Sequence, residues 1–197
     1  MERLTPERIG TICGLLAPIV FVILYATAIA LDPTYVFGED VLSDLGVGSG
    51  AWAFNSAVIL TGLLILPFAA WGLEPLGTRS VAWVTRGAFL AAGISLVGVG
   101  IWTEDAGVLH TYAAIAFFLL LTAGLALFLL IVAKNRAFGV VGAVATAVAF
   151  VLALILIFSG VDPLWETVGV LAAVVWIVFV SLQQLLGLTS EAQGAER

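Results

Sequence analysis

Charge is scarce in this chain. Only 10% of its 197 residues are Asp, Glu, Lys or Arg, while 62% are hydrophobic. A soluble domain carries about 25% charged and about 45–50% apolar residues. A soluble fold of this length could not keep that much apolar surface from water, whereas a bilayer would cover it with lipid. No polar stretch is long enough to form a separate soluble domain, so residues 1–197 read as one unit. Lysine is nearly missing: Lys134 is the only one among seven cations, set against 13 acids for a net charge of −6. Acid excess with so little lysine suggests a salt-loving, halophile-like source. No basic, aromatic-interleaved patch exists to hold nucleic acid. Cys13 is the only cysteine, which excludes an intramolecular disulfide, and its apolar surroundings disfavour a reactive thiolate.

Histidine is equally rare. His110 stands alone, so the commoner His₂ and His₃ catalytic zinc sets are out of reach. Neither HExxH nor GxSxG occurs. Ionisable residues are almost absent from mid-span positions. No proton relay or string of gating charges can be read, which argues against an ion-driven transporter or a voltage sensor.

What is present is a series of long apolar runs. A helix crossing the hydrocarbon core needs about 20 apolar residues, and six runs meet that length, at about 9–31, 52–73, 81–102, 109–133, 138–158 and 165–186. They are continuous rather than alternating, so strands of a membrane barrel are excluded. The expected fold is all-α: a polytopic integral membrane protein with a six-transmembrane-helix bundle. The basic residues set its orientation. Arg3, Arg8, Arg79, Arg86, Lys134, Arg136 and Arg197 all fall on one side of a six-span arrangement, which places both termini in the cytoplasm of a multi-pass protein of the cell membrane. The three opposite loops hold Asp32, Glu39, Asp40, Asp44, Glu104, Asp105, Asp162 and Glu166 instead. A competing reading makes the first run a cleaved signal peptide ending near Ala26-Thr27-Ala28, although the run exceeds the usual 7–15 residues of a signal core. Arg86, just inside the third span, is expected to snorkel toward the headgroups. Gly93, Gly98 and Gly100 suit close helix approach, and Pro18 and Pro67 interrupt the first two spans, where a kink could open an internal cavity.

The polar outer rim holds the candidate chemistry. Short loops bring Glu104, Asp105, His110, Asp162 and Glu166 to the ends of adjacent helices. The longer 32–50 connection, with Ser43 and Asp44, can fold over that end. Asn55 lies near the outer start of the second span. Such a set could bind a divalent metal, activate water or hold an ammonium headgroup. His110 with Glu104 and Asp44 is the first choice for a site or a metal set. A serine nucleophile would require Ser43, His110 and Asp44 or Glu104 to meet. Ordinary capping competes with all of this. Ser43 and Asp44 would cap a short helix, Glu104 and Asp105 would cap the fourth span, Asp162-Pro163 would start the sixth, and His110 would bond a loop carboxylate.

The Ser43-Asp44-Leu45-Gly46 block ahead of Ala53-Phe54-Asn55, followed by an acidic outer loop ending at His110, resembles the six-helix membrane family catalogued as domain of unknown function 998 (DUF998). The resemblance covers nearly the whole chain and implies an archaeal-type protein with six spans. It carries no established activity, and it raises the interest of Ser43, Asp44, Asn55, Glu104 and His110. Three functions remain open. One is a protein whose acidic rim holds a lipid headgroup, an ion or another membrane protein. The second is a lipid hydrolase or transferase using His110 and nearby carboxylates. The third is a small transporter. No cofactor is strongly implied.

Overall fold

A computed structural model describes residues 5–73, 79–133, 139–160 and 162–195. Arg3, Lys134, Arg136 and Arg197, together with the start of the fifth run at Phe138, lie outside the described residues. Six α-helices form the bundle: α1 (Pro6–Leu31), α2 (Ala51–Pro67), α3 (Ser80–Ile101), α4 (Val108–Val132), α5 (Gly139–Ser159) and α6 (Pro163–Ala195). Among the described residues, six helices are long and apolar enough to cross a membrane. Their outer faces are bare hydrocarbon. Ile12, Leu16, Ile19 and Ile23 of α1 recur at helical spacing and are all exposed, a continuous apolar stripe along one face.

Local chemistry explains where the helices begin and end. α1 starts at Pro6, ahead of the apolar run, because the Thr5 hydroxyl accepts the Arg8 amide at 3.4 Å and proline suits the first helical position. At the other end of the chain, α6 continues past Leu186 to Ala195. Pro67 cannot donate to the carbonyl one turn back, and α2 widens there into a π-helical turn over Phe68–Gly72. That turn leaves the Leu73 carbonyl to be satisfied, and the Arg86 Nε donates to it at 3.1 Å. Arg86 is therefore buried, with its guanidinium 5.1 Å from the Trp83 ring centre. The snorkelling expectation was wrong because a backbone acceptor inside the bundle competes for the guanidinium.

Helix approach is set by glycine on both sides of α2. A Cβ at Gly93 would lie 3.1 Å from the Gly62 carbonyl, and one at Gly100 would lie 2.8 Å from that of Asn55. Gly98 instead meets the ring of Trp102, just past the end of α3, and a Cβ there would lie 3.4 Å from that of Ala113 on α4. The tightest crossing was not anticipated. Gly10 of α1 packs on the π turn, where a Cβ would overlap the Gly72 backbone nitrogen and sit 2.8 Å from the Pro67 carbonyl. α1 is thus wedged into the core, and Ala17, Phe21, Tyr25 and Ala28 are buried on it. The described cations Arg8, Arg79 and Arg86 lie at the Gly72 end of the bundle, while the loops holding Asp32, Asp44, Glu104 and Asp162 gather at the other.

Gly10→Ala should destabilise the bundle by about 1–3 kcal/mol through overpacking against fixed backbone. Gly87→Ala is the control: nothing lies within 4 Å of its Cβ, and removing a helical glycine should be neutral or stabilising by about 0.5–1 kcal/mol. Thermal unfolding of the two variants in one detergent tests the contrast, and equal midpoints would refute it.

Candidate functional site

The acidic end is organised by a short 3₁₀ turn, Leu42–Gly46. Leu42 and Leu45 peg it into the core beside Tyr25, Phe54 and Ala57. The Asp44 carboxylate accepts the Val41 amide at 3.1 Å, closing the turn on itself. Asn55 donates from Nδ2 to the Gly46 carbonyl at 2.9 Å, fastening the turn to the start of α2. The first amide of a helical turn has no partner within it. Here the Leu42 amide donates to Glu166 Oε2 at 2.9 Å, across 124 residues of sequence. Glu166, in the first turn of α6, is 8% exposed, and this is a charge-assisted bond between the first outer loop and the last helix.

The other outer residues divide by role. Asp162 caps α6 by accepting the Trp165 amide at 3.1 Å, with Pro163 opening the helix. Asp105 is exposed. Glu104 and Asp105 do not cap α4. They form a separate 3₁₀ turn, and the N-cap of α4 is Gly107 at φ 58°, a left-handed position that favours glycine over an acid. His110 does not bond a loop carboxylate. Its Nδ1 lies 2.8 Å from the Trp102 carbonyl oxygen. A carbonyl can only accept, so Nδ1 is the donor in this contact, which fixes the ring's orientation.

Asp44, Glu104, His110 and Glu166 nevertheless form one electrostatic cluster. Burial, then hydrogen bonding to Asp44 and the charge of Asp44, push the Glu104 carboxyl above the ordinary range, with Asp105 adding to the rise and His110 opposing it. The Glu104 Oε2 is buried without a hydrogen-bond partner. Asp32 behaves in the opposite way. The Thr34 hydroxyl, 2.6 Å from Asp32 Oδ1, holds its carboxyl low against the opposing effect of burial, and the amides of Thr34 and Ser49 assist. Asp32, Asp40 and Asp44 border a shallow polar depression, but each already ties its own turn. Among the described residues no three His, Cys, Asp or Glu side chains stand where they could hold a metal ion. The Asp44, Glu104 and His110 cluster thus has no ligand geometry for one.

Beneath the cluster lies a cavity of about 110 Å³. Ser43, His110 and Glu166 line its mouth. Pro18 and Phe21 of α1, Val58 of α2, Leu96 of α3, Phe117 of α4 and Val170 of α6 form part of its wall. Pro18, one of the two prolines interrupting the spans, therefore borders an internal void. Tyr25, Tyr35 and Thr167 add three buried hydroxyls, grouped with one another near Glu166. Sequence analysis passed over Tyr25 and Thr167. A lone Tyr and Thr in apolar runs give no signal until the helices are brought together.

The fold is all-α, with six helices among the described residues long and apolar enough to cross a membrane, around an apolar chamber bordered by Ser43, His110 and Glu166. The chain belongs to the family described as "Protein of unknown function (DUF998)", which matches residues 15–183 and so includes every residue of the cluster. No curated protein and no solved structure matches it significantly.

The raised Glu104 carboxyl has a definite stability signature. The folded protein binds this proton more tightly than the unfolded chain. Its contribution is therefore complete below the ordinary carboxylate value of about 4.3 and is lost as pH rises through the raised folded value. Glu104→Gln should flatten that decline in a plot of thermal midpoint against pH. Asp32 acts in a separate window: its contribution is present above the ordinary Asp value of about 3.9 and lost as pH falls through its lowered one. A decline unchanged in Glu104→Gln would assign it to another group.

Proposed function

We propose that this protein binds an amphipathic lipid in the cell membrane. The donor-bearing, cationic head sits among Asp44, Glu104, His110 and Glu166, and the first few carbons of the hydrocarbon enter the cavity of about 110 Å³. The observation that carries this reading is the position of Glu166: a carboxylate buried to 8% exposure, given one amide donor, at the mouth of an apolar chamber. A charge-assisted hydrogen bond returns about 1.5–3 kcal/mol, less than the several kcal/mol that an ion loses on burial. Glu104 adds a buried acceptor atom with no donor. Both deficits call for the same remedy, a ligand rich in N–H or O–H groups and positive in charge. Asn55 and Asp162 hold the frame of this site rather than the ligand.

A second reading, a lipid hydrolase or transferase, is favoured by one feature. His110 is oriented through Nδ1, leaving Nε2 as a base on the same cavity wall as Ser43. The partner of Nδ1 is a backbone carbonyl rather than the carboxylate of a Ser-His-Asp triad, and so binding is preferred. The acid excess and lone lysine support a salt-loving, archaeal source. The basic residues support an orientation with Arg8, Arg79 and Arg86 toward the cytoplasm, both termini there, and the lipid site on the outer face.

Glu166→Gln should weaken binding of hexadecylamine to the protein in nanodiscs by about tenfold to a hundredfold, the loss of one charge-assisted contact. Unchanged affinity would remove the site. Turnover of a lipid ester that is abolished in His110→Ala would establish the enzyme reading instead.

Orientation is tested by single-cysteine labelling in a Cys13→Ala background. A membrane-impermeant thiol reagent added to intact cells should react with Asp105→Cys and spare Arg79→Cys. The reverse pattern would put the site on the cytoplasmic face.

A further inference from the structure

The cavity has one side that the bundle does not close. Its walls on α1, α2 and α3 are sealed: Pro18 and Phe21, Val58, and Phe89 and Leu96 line it and are buried. The seams between these helices are drawn shut by glycine. Gly50 packs on the Ala28 backbone, Gly62 on Gly93, and Gly124 of α4 on the ring of Phe89. Ser181 against Gly14 holds the seam between α1 and α6 at depth, and the Tyr25, Tyr35 and Thr167 hydroxyls hold it near the mouth. Trp176 stops the inner end. Its ring stacks on Phe89 with centroids 5.1 Å apart, and its Nε1 donates to the Thr146 hydroxyl at 3.0 Å.

α4 and α6 are different. Both start at the mouth, where they place His110 and Glu166. Below His110 the lining residues of α4 are Ala114, Phe117 and Phe118, and below Glu166 those of α6 are Val170, Ala173 and Val174. The spacing is the same on both helices, so the two stripes lie at matching depths, about 6–12 Å below the mouth at about 1.5 Å per residue. All six side chains are half-buried, whereas the lining residues of α1 are buried. A stripe that lines a cavity and is still exposed is the edge of an opening. The two helices do not close on each other: α4 packs on α3 and α5, and α6 on α5 and α1. Among the described residues, α5 sends no side chain into the cavity.

Size makes such an opening necessary for a lipid. The cavity, about 110 Å³, is smaller than the ~150 Å³ engineered void that admits a benzene ring. It encloses the few carbons next to the head and no more. A chain that turned back through the mouth would bring apolar surface among Asp44, Glu104, His110 and Glu166, and toward water. A chain that passes between α4 and α6 stays in apolar surroundings throughout.

We infer that the cavity opens sideways to the lipid between these two stripes, and that a bound amphiphile keeps its head and first few carbons inside while the rest of its chain leaves through the slit. This deepens the lipid-binding reading and rests on it. It also gives the ligand a way in from the bilayer rather than from water.

The test uses hexadecylamine carrying a diazirine at mid-chain, photolysed on the protein in nanodiscs, with adducts mapped by peptide mass spectrometry. Labelling that excess unlabelled hexadecylamine suppresses should fall on α4 and α6 around Phe118 and Val174, and should vanish in Glu166→Gln. Ala173→Trp, which fills the slit, should weaken hexadecylamine binding about tenfold, as forced overpacking does. Val175→Trp, on the exposed side of the same turn, should leave it unchanged. Equal affinity in the two variants, or suppressible labelling confined to α1, α2 and α3, would overturn the slit. If that labelling still depends on Glu166, the lipid-binding reading survives. If no suppressible, Glu166-dependent labelling is found anywhere, both fall together.

Discussion

One hydrogen bond ties the first and last parts of this molecule together at the acidic end, the 2.9 Å contact from the Leu42 amide to Glu166. It reinforces the other contacts that the 32–50 connection makes with α6, such as Gly38 against Leu164. With it, the 3₁₀ turn is drawn to α6, and Ser43 joins His110 in lining the cavity. The bond also explains why an acid is tolerated there. A carboxylate among apolar helices needs a donor, and the first amide of a helical turn is a donor without another use. Burial of Leu42 and Leu45 then prevents water from replacing the amide.

The contrast between the two ends of the bundle follows from the same rule, that backbone groups in lipid must find partners inside the protein. At the acidic end the loose groups are amides, at the starts of the 3₁₀ turns and of α6, and carboxylates satisfy them. At the other end the loose group is the Leu73 carbonyl left by the π turn, and the Arg86 guanidinium satisfies it. Charge sorting along the chain is therefore more than a topology signal. It also reflects which backbone groups each end leaves open.

How much of this was legible beforehand depends on the kind of interaction. The six helices were readable because hydropathy is a local property; their limits differ from the apolar runs where the Thr5 cap extends α1, where the π turn succeeds α2, and where α6 runs on to Ala195. The polar residues of the rim were visible because they are so few. Their assignments divided once geometry was known. Asp162 caps as expected, but Gly107 took the role foreseen for Glu104 and Asp105, since the left-handed φ of 58° there suits glycine. What the sequence could not reveal lies in backbone donors and in convergence. Leu42 matters through its N–H, which any residue but proline supplies, and Gly10 matters through what stands opposite it. Trp176 did carry a signal that went unused. A tryptophan in mid-span, away from both interfaces, has no headgroup to anchor to, so its N–H must find a partner inside.

The cavity itself bears on why the bundle tolerates an imperfect core. At about 24 cal/mol per Å³ an unfilled void of 110 Å³ costs about 2–3 kcal/mol, a large fraction of a typical domain's net stability. Water does not relieve this, because the wall is almost wholly apolar and water needs two to four polar partners. A hydrocarbon chain does relieve it, and a bilayer supplies chains at very high concentration. Moving a chain from lipid into the cavity gains little hydrophobic free energy, since both surroundings are apolar. The gain comes from filling the void, and the first carbons of any lipid tail provide it. Discrimination among lipids must then reside where lipids differ most from one another, in the polar head. Asp44, Glu104, His110 and Glu166 are gathered at that level.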